Sequence, residues 1–334
     1  MAFYLKESQA YFMKHYFIVN PEAGKGKMLA SLLTKIRFAS EELGIDYTVY
    51  NTTTTGDGTR YVKEVCEKHP DEDLRFYACG GDGTLYEVVN GAVGHHGAQV
   101  AVVPTGTGND FVRNFTGSEN FLNIKHQILG TPKKIDLLKC NGRYCINVTN
   151  IGLDCEVVQK TDELKRSVFI PGQFAYYAAI ISKFFGKFGN EIKVAVDDGP
   201  MMEYNLTLIA MGNGCYYGGG FKAMSRAYLD DGLIDLCMIT DATKTDFIKA
   251  VSDYKKGTHV NKLDKFPFIR YKKCRKVEIS TDKAAGACVD GEIFPFRHLT
   301  VEVVPSALNF VIPRGSGYVS GNTKEGLAAV DALI

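Results

Sequence analysis

Three short stretches carry residue types suited to handling phosphate. The central one reads Cys79-Gly80-Gly81-Asp82-Gly83-Thr84-Leu85-Tyr86-Glu87-Val88-Val89-Asn90-Gly91. Glycines on both sides of one aspartate let the backbone approach a phosphate closely and turn successive N–H groups toward it. A helix starting behind them adds its positive end. The other two stretches are Asn20-Pro21-Glu22-Ala23-Gly24 and Pro104-Thr105-Gly106-Thr107-Gly108-Asn109-Asp110. An acid among glycines at a phosphate site repels the nucleotide unless a cation bridges them, so magnesium is the natural ligand of Asp82. The alternative is an aspartate that caps the following helix. Asn20 suits a phosphate contact and an Asx turn at a strand end about equally. No Walker A sequence is present: Gly26-Lys27 is followed by Met28, and Pro21 stands where the leading glycine belongs. Phosphate cradling therefore falls to the glycine turns.

The elements that position these turns follow from periodicity. A short apolar strand, His15–Asn20, leads into the first turn, and Leu29, Leu32, Leu33, Ile36 and Leu43 then recur at helical spacing up to Gly44. Tyr47–Asn51 reads as a second strand, and a helix carrying Tyr61, Val62, Val65 and Cys66 comes after it. Phe76–Cys79 and Val100–Val103 are strands feeding the other two turns. Strands alternating with helices across short loops predict a parallel sheet covered on both faces, with ligands beyond the carboxyl ends of its strands. After about Lys134 the pattern changes. Ile135–Cys140, Arg143–Thr149, Ile192–Val196, Tyr204–Met211, Leu233–Ile239, Lys276–Ser280, Ala287–Val289 and Leu299–Val304 read as strands, most of them separated by turn residues. Helical patterns there are confined to Gln173–Phe185 and Asp241–Lys255, and Thr323–Ile334 has helical periodicity at the end of the chain. A second, mainly antiparallel β domain is expected.

Composition narrows the classes. Of 334 residues, 45% are apolar and 23% charged, the profile of a globular protein, and the net charge of +1 gives no global pull toward nucleic acid. Nine scattered cysteines without a CxxC pair read as buried free thiols of a reducing, cytoplasmic setting. Met1–Lys14 has no continuous apolar region, and the longest apolar run, Phe174–Ile181, is far short of the ~20 residues of a spanning helix. Membrane contact would be peripheral. Phe169–Phe188 mixes aromatics with lysines and reads as a lipid-facing amphipathic helix or as core packing. Arg270–Lys276, five basic residues in seven, reads as an attractor of anionic headgroups or a solvated strand face. His95-His96 has no partner at metal-ligand spacing and reads as a surface turn.

Taken together, these residues resemble the diacylglycerol kinase catalytic-domain family, which includes soluble bacterial lipid kinases and the sphingosine and ceramide kinases. The match runs through Asn20-Pro21…Gly24, Gly80–Asn90, Pro104–Arg113, Asp136, Asn147…Gly152-Leu153-Asp154, Gly218-Gly219-Gly220, Asp231–Asp235 and Asp290-Gly291-Glu292. It spans about residues 14 to 312. Met224-Ser225-Arg226-Ala227 departs from the Ala-Pro step common there. The resemblance implies an α/β fold: an N-terminal doubly wound nucleotide-binding domain (14–134, with 313–334 returning to it) and a C-terminal antiparallel β-sandwich domain (135–312), with ATP and lipid meeting in the cleft. It implies ATP and Mg2+ as cofactors and a lipid alcohol as substrate, most simply diacylglycerol, with a sphingoid base or ceramide as alternatives. Asn20, Pro21, Gly24, Thr52, Gly80, Gly81, Asp82, Gly83, Thr84, Glu87, Gly106, Thr107, Asn109 and Asp110 would line the nucleotide.

By the same resemblance Glu292 would take the proton of the lipid hydroxyl, with Asp290 as its partner or a metal contact. The aspartate matching Asp82 is the base in sphingosine kinases, so that assignment stays open. Taken alone, Asp290-Gly291-Glu292 is an ordinary hairpin turn. Asp231 and the carbonyls of Tyr228 and Leu233 would hold a structural magnesium, against the alternative of a solvated turn. A homodimer and peripheral contact with a membrane surface are expected of such an enzyme; a nucleic-acid partner is not. Three rivals have a basis. An NAD kinase shares the Gly-Gly-Asp-Gly turn, and an inactive binding module would share the fold. A dehydrogenase fits poorly, since Gly212-Asn213-Gly214 meets Tyr217 at the final glycine position.

Overall fold

A computed structural model describes residues 13–152 and 189–321. Leu153, Asp154, the segment Phe169–Phe188 and the segment Thr323–Ile334, all named in the sequence reading, lie outside these residues. The chain forms two compact units, one from the described residues up to Leu137 with Pro305–Ser320, the other from Leu138–Val304 with Gly321.

In the first unit, β1 (Lys14–Val19), β2 (Tyr47–Asn51), β3 (Leu74–Gly80) and β4 (Ala98–Pro104) are parallel in the order β4-β3-β1-β2. Every residue of β3 is buried, as a strand covered on both faces requires. Helix α1 (Leu29–Leu43) turns Leu32, Ile36 and Ala39 inward onto Phe17, Val19, Tyr77, Ala101 and Val103, and stops at Gly44 in the left-handed conformation. Helices α2 (Asp57–Lys68) and α3 (Asp82–Ala92) approach closely at Gly91, where a Cβ would stand 2.7 Å from Val62 Cβ. Two pieces differ from the expectation. The short helix α4 (Ile124–Ile128) precedes β5 (Thr131–Cys140), and the unit extends to Leu137 rather than 134. Residues 305–312, placed in the β domain on sequence grounds, join this unit, because Asn309 and Phe310 pair in parallel with Gln99 and Val100 of β4.

The second unit is antiparallel. It contains β6 (Arg143–Cys145), β7 (Val148–Gly152), β8 (Asn190–Val196), β9 (Met202–Gly212), β10 (Ile234–Thr240), β11 (Ile269–Cys274), β12 (Lys276–Val289) and most of β13 (Glu292–Ile312). The order β11-β10-β9-β7-β12-β13 is antiparallel throughout, with β8 bonded to β9 and β12. Helix α5 (Lys244–Lys256) begins in a capping box, Thr243 with Asp246, and ends at Gly257. The apparent strand Arg143–Thr149 breaks at Ile146-Asn147, whose amides turn to the Asp290 carboxylate. Lys276–Ser280 and Ala287–Val289 are one strand with an irregular register between Ser280 and Ala285. The basic run Arg270–Lys276 falls mostly on β11. Among the described residues all eight cysteines are free, seven of them buried, and no helix is long and apolar enough to cross a membrane.

Candidate functional site

The parallel strands end level. Val19 pairs with Cys79 and Asn51, and Gly80 pairs with Pro104, so the turns after β1, β3 and β4 leave the sheet along one rim. There they pack backbone on backbone. A Cβ on Gly106 would lie 2.4 Å from Gly81 Cα, and one on Gly24 would lie 2.7 Å from the Thr105 carbonyl oxygen. Gly80 is roofed by Thr84, whose Oγ1 would be 2.1 Å from an added Cβ, and its carbonyl accepts the Thr105 and Gly106 amides at 2.9 and 3.2 Å. Gly24 also sits at φ +59, which favours glycine. Helix α3 starts at this rim with Gly81 as N-cap and no side-chain cap on its first amides. The first four N–H groups of a helix lack partners within it, so an uncapped start offers donors to an anion.

Around that frame the expected nucleotide residues take distinct positions. Asn20 makes the Asx turn, accepting the Glu22 amide at 3.0 Å, while its Nδ2 reaches Thr84 Oγ1 at 3.5 Å. Pro21 and Gly83 are half-buried at the turns, and Thr107 is exposed. Thr52 lies at the end of β2, its amide 2.8 Å from the Val19 carbonyl. Asn109, at φ +51, donates to the Gly106 carbonyl at 2.8 Å; its Oδ1 is buried without a hydrogen-bond partner. Asp110 turns to Arg113 at 3.2 Å.

Asp82 does not cap its own helix. It is the first helical residue, and its carboxylate crosses to the neighbouring turn, accepting the Asp110 amide at 3.1 Å and the Phe111 amide at 3.3 Å. It thereby anchors the start of the short helical turn Phe111–Asn114. Burial raises its pKa above the ordinary carboxylate value, against the pull of those amides. Glu87 is tied to the neighbouring helix. Both of its oxygens are taken by the start of α2, the Gly56 amide at 2.7 Å and the Gly58 amide at 2.8 Å. Sequence reasoning also missed Asp57 beside it. Although burial acts to raise it, the Arg60 guanidinium, the Thr53 amide and the Tyr50 hydroxyl hold this carboxyl at about 2. The sequence signal was an acid between two glycines, Gly56-Asp57-Gly58, the same signature as at Asp82.

In the second unit the Asp290-Gly291 turn joins β12 to β13, with Val289 opposite Glu292 and positive φ at both turn residues, 48° and 96°. That is the two-residue hairpin. Its aspartate does more than turn the chain. The buried Asp290 carboxylate accepts the amides of Ile146 (2.7 Å), Asn147 (3.0 Å) and Val148 (3.1 Å) and the Cys145 thiol (3.2 Å). This is why the strand breaks at Ile146-Asn147, and both Asp290 oxygens are engaged by these donors. Burial pushes its pKa up to about 6 in spite of these donors. Glu292, half-buried, is the first residue of β13 beyond this locked turn.

At the turn expected to hold a metal, Asp231 has protein partners on both oxygens. Asp231 Oδ1 accepts the Leu233 amide at 3.0 Å, and Oδ2 meets the Lys273 ammonium at 2.8 Å. Tyr228 lies with its ring 5.3 Å from that ammonium. Among the described residues no group of three or more His, Cys, Asp or Glu side chains is placed to hold a metal ion. Lys273 was read as part of an outward basic run, yet it is buried, whereas Arg270, Lys272 and Arg275 are exposed. Period-two alternation of Ile269, Tyr271 and Lys273 was the available signal.

Comparison with known proteins agrees with this architecture. A family model described as the diacylglycerol kinase catalytic domain matches residues 14–140. Another, described as the YegS C-terminal NAD kinase beta sandwich-like domain, matches residues 147–312. A diacylglycerol kinase of Staphylococcus carnosus is 30% identical over 277 residues, 82% of this chain and 87% of its own. One from Bacillus subtilis is 29% identical over 281 residues, 82% and 88% of the two chains. A Bacillus anthracis crystal structure, provisionally named a diacylglycerol kinase, superposes with a TM-score of 0.70 at 27% identity, covering 90% of this chain and 97% of its own. Yeast NADH kinase shares the fold at 9% identity, with a TM-score of 0.50 and coverage of 96% and 87%.

Two outcomes test the geometry. Glu87→Gln should lower stability in denaturant by about 1 kcal/mol through loss of an acceptor at the start of α2, with nucleotide affinity little changed. A carboxyl whose pKa is raised by folding binds its proton more tightly folded than unfolded. The stability contribution of Asp290 is therefore complete below about pH 4 and is lost as pH rises through about 6. Between about pH 7 and pH 5 the wild type should gain melting temperature relative to Asp290→Asn, which has no such titration.

Proposed function

The chain belongs to the diacylglycerol kinase catalytic-domain family, and from that premise we propose that it transfers the γ-phosphoryl group of ATP to the free hydroxyl of a diacylglycerol, forming phosphatidic acid. It is a lipid kinase; the choice of diacylglycerol over a sphingoid base or ceramide rests on the names of its relatives. The observation that carries the reading is the rim, where the turn pairs Gly81–Gly106 and Gly24–Thr105 meet at the uncapped start of α3.

Phosphoryl transfer asks for held phosphates, neutralised charge and an oriented hydroxyl. The backbone of the three turns, the first amides of α3, Asn20 and the exposed Thr107 hydroxyl supply the phosphate contacts. The rim residues also suit magnesium. Asp82 keeps acceptor capacity beyond its bonds to the Asp110 and Phe111 amides, and Asn109 Oδ1 is an unpartnered buried acceptor on the same turn. Together they are hard oxygen donors of the kind magnesium takes. When bound, the ion offsets the charge of the phosphates. Glu292 accepts the hydroxyl proton as the new bond to phosphorus forms, which suits a carboxylate because the alcohol is acidic only in that transition. Asp290 positions it by locking the turn before it. Contact with the membrane is peripheral, through the outward Arg270, Lys272 and Arg275 of the basic run, and the working form is a homodimer.

Labelled ATP offered with micelles of diacylglycerol, ceramide, sphingosine and a polyprenol, and with NAD in parallel, should place label in diacylglycerol. Label in NAD or none at all overturns the reading. In that assay Asp82→Ala should abolish turnover while circular dichroism stays native. Glu292→Gln should lower kcat by about 10²–10⁴-fold with ATP affinity little changed. Loss of ATP binding in the second variant would move Glu292 to the nucleotide.

A further inference from the structure

The turn that the resemblance assigns to a structural magnesium already holds a cation. Lys273 stands directly opposite Asp235 across the β10–β11 ladder. Its ammonium lies 2.6 Å from Asp235 Oδ2 and 2.8 Å from Asp231 Oδ2, with all three side chains at most 3% exposed. The Tyr228 ring, 5.3 Å away, faces the same ammonium. Each carboxylate is satisfied on its other oxygen, Asp231 by the Leu233 amide and Asp235 by the Tyr271 hydroxyl. Gly321 packs against the same turn. Gly321 donates to Asp230 at 2.7 Å, and a Cβ there would lie 2.5 Å from Asp231 Cβ and 2.8 Å from Tyr228 Cβ.

We propose that Lys273 is the resident cation of this turn, taking the place of a divalent metal, so that the second unit folds without one. Two observations agree. Magnesium demands near-octahedral oxygen donors at about 2.1 Å, and the carboxylate that would supply one is already bonded on both oxygens. A second cation beside a buried ammonium would be repelled in a medium of low dielectric constant. Two carboxylate oxygens at 2.6 and 2.8 Å are the partners that a buried ammonium needs. The magnesium requirement of the protein then belongs to the nucleotide rim alone.

Thermal melting of the full chain, without nucleotide or lipid, tests this independently of any kinase activity. Wild type should melt at the same temperature in EDTA and in millimolar Mg2+ or Ca2+. Lys273→Met leaves two buried carboxylates without their counter-ion and should melt about 10 °C lower in EDTA. Part of that loss should return with Mg2+ or Ca2+, and the recovery should vanish when Asp231→Asn is added. A fall in the wild-type melt on chelation overturns the proposal. So does a rise with Mg2+ that survives Asp82→Ala, or a Lys273→Met protein indifferent to cations. Should Lys273→Met not be recovered folded, the wild-type melts decide.

Discussion

The contact between Gly81 and Gly106 governs the first unit. Two strand-to-helix turns meet there without side chains, at a spacing that a single methyl group would violate. Everything at the rim depends on that approach. It brings the start of α3 beside the turn after β4, lets Gly80 accept two amides of that turn, and sets Asp82 within reach of the Asp110 and Phe111 amides. Parallel strands ending level are the precondition, and the buried run of β3 supplies it. Glycine is required by space at Gly106, where an added Cβ would stand 2.4 Å from Gly81 Cα, whereas one on Gly81 would keep 3.4 Å from Gly106 Cα.

Much of this was legible in the sequence, and the reasons differ by element. The alternation of strands and helices up to residue 134 was readable because each element has one strong period and a glycine or proline at its end. The three turns were readable because phosphate binding needs glycine where few other functions do. What sequence alone does not reveal is how the acids are held, as with Glu87, whose side chain reaches the start of α2. That the end of β13 also joins the first unit was not readable, because strand pairing links residues far apart in sequence, as Asn309 and Gln99 show. The break at Ile146-Asn147 has no sequence signal, since its cause, Asp290, lies more than a hundred residues away.

Lys273 shows how composition misleads. Five basic residues in seven suggest a charged surface, but a strand alternates, and one of its faces is always inward. A buried lysine survives only with partners, so its presence on the inward face carries information about residues elsewhere. Asp231 and Asp235 are those partners, four apart in sequence and converging on one ammonium.

The buried and half-buried carboxylates of the chain divide by what answers them, and that division separates scaffold from chemistry. Glu87 and Asp290 are answered by backbone amides, which cannot leave without unfolding the turn they belong to. Asp231 is answered by an ammonium fixed within a strand. Such groups hold their shape at the cost of chemical availability. Asp82 is intermediate. It holds one short helical turn, yet stands at a rim with an unpartnered amide oxygen nearby, and its pKa lies above the ordinary value because burial outweighs the amide bonds. A cation binding there would reverse that shift, since it favours the ionised form. What sets Asp82 apart is its place at the rim, beside an acceptor that the protein leaves unpartnered, where the other carboxylates are enclosed by their own donors.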